Sequence, residues 1–410
     1  MRAKITGPLA DTAAGAIAEQ VLRACVHCGM CNATCPTYAL TGDELDGPRG
    51  RIYLMKQALE GEPPGRLTQV HLDRCLTCRA CETTCPSGVE YHALYDVAKK
   101  VVNEAAGRPW RERLARWAIR FACIEPRRLA ALMAVGRAFR FMLPRALQGK
   151  LARARPAGPT PLPRHSRRMA LLGGCVQAAA APSINAANRR VFDAVGIDLV
   201  ESPRVGCCGA LSFHTGSVEA GRSLARRNID AWCAELDAGA EAIVANASGC
   251  AAFIRDYPAV LADDPVYAPR ARRVAAALRD PVEVLLADPP TAVRAPREPR
   301  VAVHPPCTLR NGPALGDAPA RLLGALGFEP QPIRDAHLCC GSAGAYSLLQ
   351  PKIAGQLREA KIEALTGSQP QAILTANIGC LMHLAEASPV PVRHWIEAVD
   401  EVVSEGRAAT

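Results

Sequence analysis

Eight cysteines near the amino terminus form a pattern that occurs twice. The copies are Cys25-x2-Cys28-x2-Cys31-x3-Cys35-Pro36 and Cys75-x2-Cys78-x2-Cys81-x3-Cys85-Pro86, with each position 50 residues after its counterpart. Thiolates ligate iron in [4Fe-4S] clusters, and three thiolates at two-residue gaps on a tight loop can reach three irons of one cubane. The pattern therefore predicts two [4Fe-4S] clusters.

The fourth cysteine of each copy comes three residues later and is followed by proline, so we expect it to point away from the other three. In two-cluster ferredoxins this cysteine ligates the other cluster. The predicted crossed sets are Cys25, Cys28, Cys31 and Cys85 for one cluster, and Cys75, Cys78, Cys81 and Cys35 for the other. Structural zinc and disulfides are the alternatives. Zinc sites usually use two separated Cys-x2-Cys pairs, and a reducing cytosol disfavours disulfides.

Eight further cysteines form an internal repeat later in the chain. The first copy has Cys175, Cys207, Cys208 and Cys250, and the second has Cys307, Cys339, Cys340 and Cys380. The counterparts are separated by 132, 132, 132 and 130 residues, which indicates duplication. We interpret each set as a candidate metal or redox site. Buried free cysteines that only pack are the alternative.

The segments between the cysteines predict how they are positioned. Around the first eight, apolar residues recur at helical spacing over 11–24, 51–60 and 91–105, without alternating strands. We therefore expect an all-helical ferredoxin rather than the small β-rich form. In the repeats we expect strands at 169–172, near 197 and at 242–245, and again at 301–303, near 328 and at 372–375. The cysteines would then lie at the carboxyl ends of parallel strands, where open α/β sheets bind ligands.

A chain of 410 residues exceeds what one hydrophobic core usually serves. We predict an α+β multidomain protein with four segments. They are a helical two-cluster ferredoxin domain at 1–106, a basic amphipathic helical linker at 107–165, a first Cys-Cys-Gly domain at 166–290 and a second at 291–410.

Positive charge is concentrated in and beside the linker. Residues 108–168 contain 16 Lys and Arg residues against Glu112 and Glu125, a local excess of +14, while the whole chain carries +10. Aromatic and aliphatic residues are interleaved with these arginines, and prolines at 109, 126, 144 and 156 break the segment. Such a segment can lie on an anionic membrane surface or dock an acidic partner, and a packed linker with solvated arginines is the alternative. The low aromatic content and lack of a nucleic-acid motif argue against nucleic acid as a partner.

A cluster with four thiolates is a buried anion, so nearby cations should stabilise it and raise its reduction potential. The candidate cations are Arg23, Arg49, Arg51, Arg74 and Arg79. Ordinary surface arginines at helix ends are the alternative for each of them.

The sequence gives no sign of export or of a membrane span. The first twenty residues lack a continuous apolar segment, and no run of about 18 apolar residues occurs. We expect a cytoplasmic protein, either free or peripheral on the inner face of the cell membrane. Its 18 cysteines are then best kept reduced as ligands.

Several stretches resemble a known family. They are 25–29 (Cys-Val-His-Cys-Gly), 42–54, 71–78, 85–89, 247–250, 337–344 (His-Leu-Cys-Cys-Gly-Ser-Ala-Gly) and 375–380. Together they resemble the iron-sulfur electron-transfer subunits related to heterodisulfide reductase, lactate-utilisation proteins and anaerobic glycerol-3-phosphate dehydrogenase. The likeness is greatest to the iron-sulfur subunits of bacterial glycolate oxidase, also called glycolate dehydrogenase. The resemblance covers nearly the whole chain and is weakest in 108–168.

In that family a separate FAD subunit oxidises glycolate to glyoxylate, and the iron-sulfur subunit passes the electrons to a membrane acceptor such as a quinone. The resemblance implies the same role here, with FAD only on partner subunits and no catalytic residue in this chain. The sequence agrees, since it has no GxGxxG fingerprint after a strand. The alternatives are a subunit of a lactate or glycerol-3-phosphate dehydrogenase, or a thiol-disulfide reductase that uses Cys207-Cys208 or Cys339-Cys340.

The resemblance also bears on the cofactors of the repeats. The Cys-Cys-Gly domains of heterodisulfide reductase end in Cys-x2-Cys and supply five cysteines for a noncubane cluster. In this chain Ala247 and Asn377 replace the first cysteine of that final pair. We therefore expect an additional cluster with four ligands, or an altered site, rather than the noncubane form.

Overall fold

The computed structural model describes residues 3–142 and 156–407. The predicted break at Pro144 and part of the basic segment lie outside these residues. The four predicted segment boundaries stay predictions.

The part before the linker is helical. Its α-helices are α1 (Ala13–Ala24), α2 (Pro36–Thr41), α3 (Pro48–Leu59), α4 (Arg66–Asp73), α5 (Ala80–Thr83) and α6 (Tyr91–Ala106), with 3-10 turns at Gly7–Leu9, Met30–Thr34 and Glu44–Asp46. No strand occurs among its described residues, so the prediction of an all-helical ferredoxin is confirmed. Helix α3 begins earlier than predicted because Pro48 occupies its first turn, where a missing N–H costs nothing.

One hydrophobic core holds these helices together. It joins α1, α3, α4 and α6 through side chains such as Leu22, Met55, Leu72 and Leu94, which are fully buried. Cys25 belongs to this core, and Cys75, Cys81 and Cys85 pack against it. The cysteine loops therefore rest directly on the core of the domain.

Each repeat contains a four-stranded parallel sheet with the same strand order. The strands of the first are β1 (Arg167–Leu171), β2 (Ile197–Val200), β3 (Ile243–Val244) and β4 (Leu278–Arg279), ordered β2-β1-β3-β4. Those of the second are β5 (Arg300–His304), β6 (Glu329–Pro330), β7 (Ala372–Thr375) and β8 (Val392–His394), ordered β6-β5-β7-β8. The six predicted strands are present within a few residues. The fourth strand of each sheet was missed, because β4 and β8 are too short to show a periodic pattern.

Helices cover both sheets. In the first repeat they are α9 (Val176–Ala180), α10 (Pro182–Ala194), α11 (Ala210–His214), α12 (Val218–Asp237), α13 (Ser248–Arg255), α14 (Tyr257–Val260), α15 (Tyr267–Ala277) and α16 (Pro281–Ala287). In the second they are α17 (Cys307–Arg310), α18 (Ala318–Ala325), α19 (Tyr346–Leu349), α20 (Pro351–Thr366), α21 (Ile378–Ala385) and α22 (Trp395–Arg407). This arrangement is an α/β fold in each repeat, so the α+β multidomain prediction is confirmed.

The two repeats share one core. Apolar residues from both sheets form a single buried cluster, in which α10 packs against α22. At the edge of this interface Ser183 donates to Glu397 at 2.7 Å, and Arg190 pairs with Asp400 at 2.7 Å. The repeats are therefore fixed relative to each other by apolar packing and by buried polar contacts.

The basic segment contains the helices α7 (Trp110–Cys123) and α8 (Pro126–Ala138), followed by a 3-10 turn at Arg140–Met142. Arginines on the inner face of α7 hold it to the protein. Arg108 and the buried Arg116 pair with Asp73 at 2.6 and 3.2 Å, and Arg120 donates to the Thr215 hydroxyl at 3.2 Å. Helix α8 packs against α9 of the first repeat.

Large apolar side chains are exposed on these two helices and on the residues that follow them. They are Trp110, Leu114, Trp117, Phe121, Leu132, Val135, Phe139, Phe141 and Met142, which we call the aromatic face. Trp110 is 67% exposed and Phe141 80% exposed. The alternative of a packed linker would bury these aromatic side chains, whereas in the structure they are exposed and Arg116 is buried. Within the part of the chain that the structure describes, every helix is too short or too polar to cross a membrane.

Candidate metal centres

Both cysteine loops of the ferredoxin domain turn in the same way. His27 and Gly29 in the first loop have φ values of 58° and 85°, and their counterparts Thr77 and Arg79 have 50° and 61°. Left-handed backbone is unfavourable for residues other than glycine, so its presence at matching positions marks a constrained turn. The turn points backbone donors at sulfur: the Thr77 N–H donates to the Cys75 Sγ at 3.4 Å. Such donors stabilise thiolates and clusters.

The first cavity is lined by Cys25, Cys28, Cys31 and Cys85, with Cys81 also at its wall. Burial, followed by the neighbouring Cys25 thiol, raises the pKa of Cys31 to about 11. Burial, followed in the same direction by the neighbouring Cys85 thiol, raises the pKa of Cys25. The cavity therefore contains the three cysteines of the first loop and the fourth cysteine of the second.

The second cavity is lined by Cys35, Cys75, Cys78 and Cys81. Burial, followed by the neighbouring thiols, raises the pKa values of Cys78 and Cys81 well above their ordinary range. Each predicted set of four cysteines is thus brought together by the structure, and four thiols around a cavity suit a [4Fe-4S] cluster. Ligation by these two sets stays a prediction.

A buried cation lies beside the second cavity. Arg51 is 1% exposed, and its Nη1 donates to the Thr37 hydroxyl at 3.1 Å and lies 4.0 Å from the Cys35 Sγ. Although burial alone would lower the pKa of Arg51, the thiols of Cys75 and Cys35 raise it above its ordinary value. The Tyr91 hydroxyl adds a donor at 3.7 Å from the Cys75 Sγ. The second cavity therefore has a fixed positive charge.

Asp46 anchors this cation from the other side. Its carboxylate is fully buried and lies 3.6 Å from the Arg51 Nη2. It also contacts the His71 Nδ1 and the Arg74 Nη1, both at 2.8 Å. The remaining candidate arginines are more exposed or paired elsewhere: Arg23 with Glu19, Arg49 with Glu44, and Arg79 with Asp256. Among the five candidates, Arg51 is thus the fully buried one.

The second loop is docked against both repeats. The Asn311 Nδ2 donates to the Cys78 carbonyl at 2.7 Å, and the Tyr346 hydroxyl donates to the Arg74 carbonyl at 3.0 Å. Cys78 and Cys307 pack around one small apolar cluster. On the other side, Arg79 pairs with Asp256 of the first repeat. The second cavity therefore lies at the junction of the ferredoxin domain and the second repeat.

The four thiols of the first repeat form a chain of contacts. Hydrogen bonds link Cys175 to Cys207, Cys207 to Cys208, and Cys208 to Cys250. Hydrogen bonds from Cys175 and Cys208, together with the Arg227 cation, hold the pKa of Cys207 well below its ordinary value. The pKa values of its neighbours Cys175 and Cys208 are instead raised well above the ordinary value, by hydrogen bonds to Cys207 and by burial.

The four thiols of the second repeat form the corresponding chain. The Cys307 and Cys339 Sγ atoms are 3.9 Å apart, and hydrogen bonds link Cys339 to Cys340 and Cys340 to Cys380. Gly341 follows the cysteine pair with φ of 86°, and a Cβ there would approach the Ala354 carbonyl oxygen to 2.7 Å. The tight turn therefore requires glycine. All eight predicted cysteines of the repeats converge within their own copy.

Asn377 and Ala247, which replace a cysteine in the repeats, have structural roles in their surroundings. Asn377 caps α21, because its side chain accepts from the Gly379 N–H at 3.1 Å. Ala247 is buried against the shared core. Neither side chain points to a ligand role.

Sequence reasoning missed two residues near the thiols. Cys123, at the end of α7, lies near Cys207, and burial followed by this neighbour raises its pKa to about 11. His304 lies beside Cys340 and Cys380. Cys123 belongs to no repeated pattern, so the sequence had no signal for it. For His304 the signal was that the equivalent position of the first repeat is Leu172.

Comparisons with known proteins agree with this architecture. A cysteine-rich domain family matches residues 169–255 and 301–385, and a 4Fe-4S dicluster domain family matches residues 21–89. The chain is 47% identical over 406 residues to the glycolate oxidase iron-sulfur subunit of Escherichia coli (strain K12), covering 99% of this chain and all of that protein. It is 32% identical over 398 residues to the probable glycolate oxidase iron-sulfur subunit of Bacillus subtilis (strain 168), covering 89% of each. It is 27% identical over 244 residues to lactate utilization protein A of an Exiguobacterium species, covering 58% of this chain and 98% of that protein.

The crossed arrangement predicts an unusual pairing of variant phenotypes. Cys85→Ser should perturb the cluster of the first loop, since Cys85 lies in the first cavity although it belongs to the second sequence motif. The electron paramagnetic resonance (EPR) spectrum of the Cys85→Ser variant, measured after anaerobic reconstitution and reduction, should therefore match the spectrum of the Cys28→Ser variant. Cys123→Ser, outside both loops, should retain the wild-type spectrum. A Cys85→Ser spectrum that matches Cys78→Ser would contradict the crossed arrangement.

The buried cation predicts a shift in reduction potential. Arg51→Gln should lower the potential of one cluster by about 60 mV, the one-electron equivalent of a tenfold change in equilibrium constant, because the added electron loses a buried positive neighbour. Arg51→Lys should retain most of the wild-type potential, and Arg49→Gln, at the half-exposed position near the first loop, should have a smaller effect. Redox titration followed by EPR measures all three. Equal potentials in Arg51→Gln and wild type would exclude this role of Arg51.

Proposed function

We propose that this chain, which belongs to the family of glycolate oxidase iron-sulfur subunits, is the electron-transfer subunit of an FAD-dependent glycolate dehydrogenase. It receives electrons from a flavin subunit that oxidises glycolate to glyoxylate and passes them to a membrane acceptor such as a quinone. The relatives in Escherichia coli and Bacillus subtilis, which are named as glycolate oxidase subunits, support this substrate. The enzyme role belongs to the complex, and this chain contributes no residue to substrate chemistry.

The observation that carries the proposal is the pair of four-thiol cavities within one small helical domain. Cys25, Cys28, Cys31 and Cys85 line the first, and Cys75, Cys78, Cys81 and Cys35 line the second. When bound there, [4Fe-4S] clusters supply one-electron transfer. The two cavities lie close together because each loop contributes cysteines to both: Cys35 of the first loop lines the second cavity, and Cys85 of the second loop lines the first.

The two cavities differ in exposure, which suggests an order of electron transfer. Cys28 is exposed at the first cavity, beside Val26 and Met30, which are 67% and 53% exposed. The second cavity faces the repeats through the contacts of Cys78 with Asn311. We propose that the flavin subunit docks over the first loop, and that electrons then move inward to the second cavity.

A second candidate function follows from Cys207. Its lowered pKa favours the thiolate form within a chain of thiols, and thiolates are the nucleophiles of thiol-disulfide exchange. A thiol-disulfide reductase would need a substrate disulfide to reach this site, yet Cys207 is buried. The electron-transfer role is therefore preferred. A lactate or glycerol-3-phosphate dehydrogenase complex would use the same chain with a different flavin partner.

The test compares the chain alone with the chain in its complex. Purified, reconstituted chain should show no oxidation of glycolate with a dye acceptor, since in this proposal the flavin lies on a partner subunit. Coexpression with the FAD-binding subunits of the same organism should give a complex that oxidises glycolate, in preference to lactate and glycerol 3-phosphate, and passes electrons to a quinone analogue. In this complex Cys78→Ser should abolish quinone reduction while the flavin is still reduced by glycolate. Turnover by the chain alone, or a preference for lactate, would overturn the proposed assignment.

The aromatic face supports a peripheral membrane contact near the acceptor. Its side chains are exposed on α7 and α8, and Arg111 and Arg113 are exposed beside them. Trp117 and Phe121 stack with their ring centroids 5.3 Å apart. Aromatic side chains can enter the lipid boundary while arginines contact anionic head groups, at about 1 kcal/mol for each basic residue near the surface.

Vesicle co-sedimentation of the full chain tests this contact. Arg111→Gln/Arg113→Gln should weaken binding to anionic vesicles about 30-fold, the equivalent of two such contacts. Trp110→Ser/Trp117→Ser should weaken binding to anionic and neutral vesicles alike. Arg204→Gln/Arg272→Gln removes the same charge from exposed positions elsewhere and serves as the control. Negligible binding of wild type to anionic vesicles at low salt would exclude a lipid contact and leave the aromatic face for a protein partner.

A further inference from the structure

We propose that a buried cluster of basic side chains between α4, α6 and α7 binds one phosphate group. Lys99 of α6, Arg108 just before α7 and Arg116 of α7 surround the carboxylate of Asp73, the last residue of α4. These four side chains are only 8 to 11% exposed. None of them lines a cysteine cavity, so the site is separate from the proposed cluster sites and does not depend on the substrate of the complex.

The Asp73 carboxylate has no acceptor capacity left. Its Oδ1 accepts from Lys99 and from the Arg108 Nη2, the latter at 2.9 Å. Its Oδ2 accepts from the Arg108 Nη1 at 2.6 Å and from the Arg116 Nη2 at 3.2 Å. A carboxylate offers about four lone-pair positions in all, and four donors occupy them. The other N–H groups of Lys99 and Arg116 therefore need a different acceptor.

Arg116 shows this need most clearly. The hydrogen bond to Asp73 uses one of its five N–H groups, and its buried Nε has no hydrogen-bond partner among the described residues. A buried donor without an acceptor costs about 1 to 3 kcal/mol, and more when the group is charged. A ligand with several oxygen atoms would satisfy such donors.

The cluster also has an excess of positive charge. Ion pairs in this region join four cations to two carboxylates, which leaves an excess of two. The cations are Arg66, Lys99, Arg108 and Arg116, and the carboxylates are Asp73 and Glu112. Burial lowers the pKa of Lys99 to about 8 against the opposing effect of Asp73, and it lowers the pKa of Arg116 as well. Buried charges need compensation, and an anion with two charges would provide it.

A phosphate group meets both requirements. A phosphate monoester carries about −1.5 to −2 charge at pH 7 and presents three strong acceptor oxygens. Arginine binds phosphate through short, charge-assisted hydrogen bonds, and lysine binds it as a point charge. A carboxylate ligand would bring a single charge and two oxygens, so it would leave part of the excess unbalanced. The proposed ligand class is therefore a phosphate or phosphate monoester.

The exposed part of the cluster is the pair of Arg66 and Glu112, whose side chains are 40% and 38% exposed. Close to these residues in the sequence, Leu67 and Trp110 are each 67% exposed. A phosphate that enters past this pair would carry any apolar substituent toward exposed apolar side chains. The group can thus come from free phosphate or from the head group of an anionic lipid. Only the lipid source rests on the proposed membrane contact of the aromatic face.

The experiment measures binding of radiolabelled inorganic phosphate to the full, anaerobically reconstituted chain by equilibrium dialysis at constant ionic strength. We expect one saturable phosphate per chain. Lys99→Met removes one buried charge and keeps the apolar stem, so it should weaken binding about tenfold. Lys100→Met removes the same charge from the exposed neighbouring position of α6 and serves as the matched control, with wild-type affinity.

Asp73→Asn distinguishes an anion site from a purely structural ion cluster. Loss of this carboxylate leaves three cations without their partner, so phosphate should bind about tenfold more tightly than in wild type. Phosphate should also raise the thermal unfolding midpoint of this variant more than that of wild type, because a ligand stabilises the folded state in proportion to its occupancy. A variant that gains no stability from phosphate would show that the cluster is structural only.

Competition assigns the source of the group. Dihexanoyl phosphatidate that displaces labelled phosphate at lower concentration than unlabelled phosphate does would assign a lipid head group, and equal potency would assign free phosphate. Dihexanoyl phosphatidylcholine, whose head group has no net charge, is the control. Absence of saturable phosphate binding to wild type, or equal affinities of Lys99→Met and Lys100→Met, would overturn the proposal. Failure of glycolate oxidation by the complex would instead concern the proposed function and leaves this binding measurement unaffected.

Discussion

The convergence of thiols from two loops is the constraint on which the rest of the structure depends. Each loop turns through left-handed backbone at matching positions, and each places its fourth cysteine at the cavity of the other loop. Thiols that are raised in pKa by burial must lose their protons when they bind metal, so folding and metal binding are coupled in this domain. Neither loop can form its cavity alone, which explains why the helices around them share one core.

Buried charge pairs extend this constraint outward. Asp46 holds Arg51 beside the second cavity, and Asp73 holds Arg108 and Arg116 of the basic segment. Breaking such a pair leaves an unpaired buried charge, which costs about 3 to 5 kcal/mol. The Asp46 pair therefore fixes a cation at the second cavity, and the Asp73 pairs hold α7 against the helical domain through its arginines.

The sequence predicted the parts of the protein that depend on spacing. The ferredoxin domain was predicted from two cysteine patterns separated by 50 residues. The duplicated α/β fold was predicted from two repeats separated by about 132 residues. The pattern could not show which arginines are buried, because Arg51 and Arg116 become buried only where they meet partners in other elements, such as the His71 carbonyl and the Asp73 carboxylate. His304 was missed for a similar reason, since its relation to Cys380 exists only once β5 and β7 pair. Strands β4 and β8 were missed because short buried strands show no periodicity.

We propose that one helical domain holds two [4Fe-4S] clusters by crossed ligation and conducts electrons through them. The most direct test is EPR spectroscopy of the anaerobically reconstituted and fully reduced chain, together with iron and zinc analysis. Crossed ligation predicts two reduced [4Fe-4S] centres per chain with magnetic interaction between them, because shared loops keep the two cavities close together. A spectrum that integrates to a single non-interacting centre, or stoichiometric zinc bound to the loop cysteines, would contradict it.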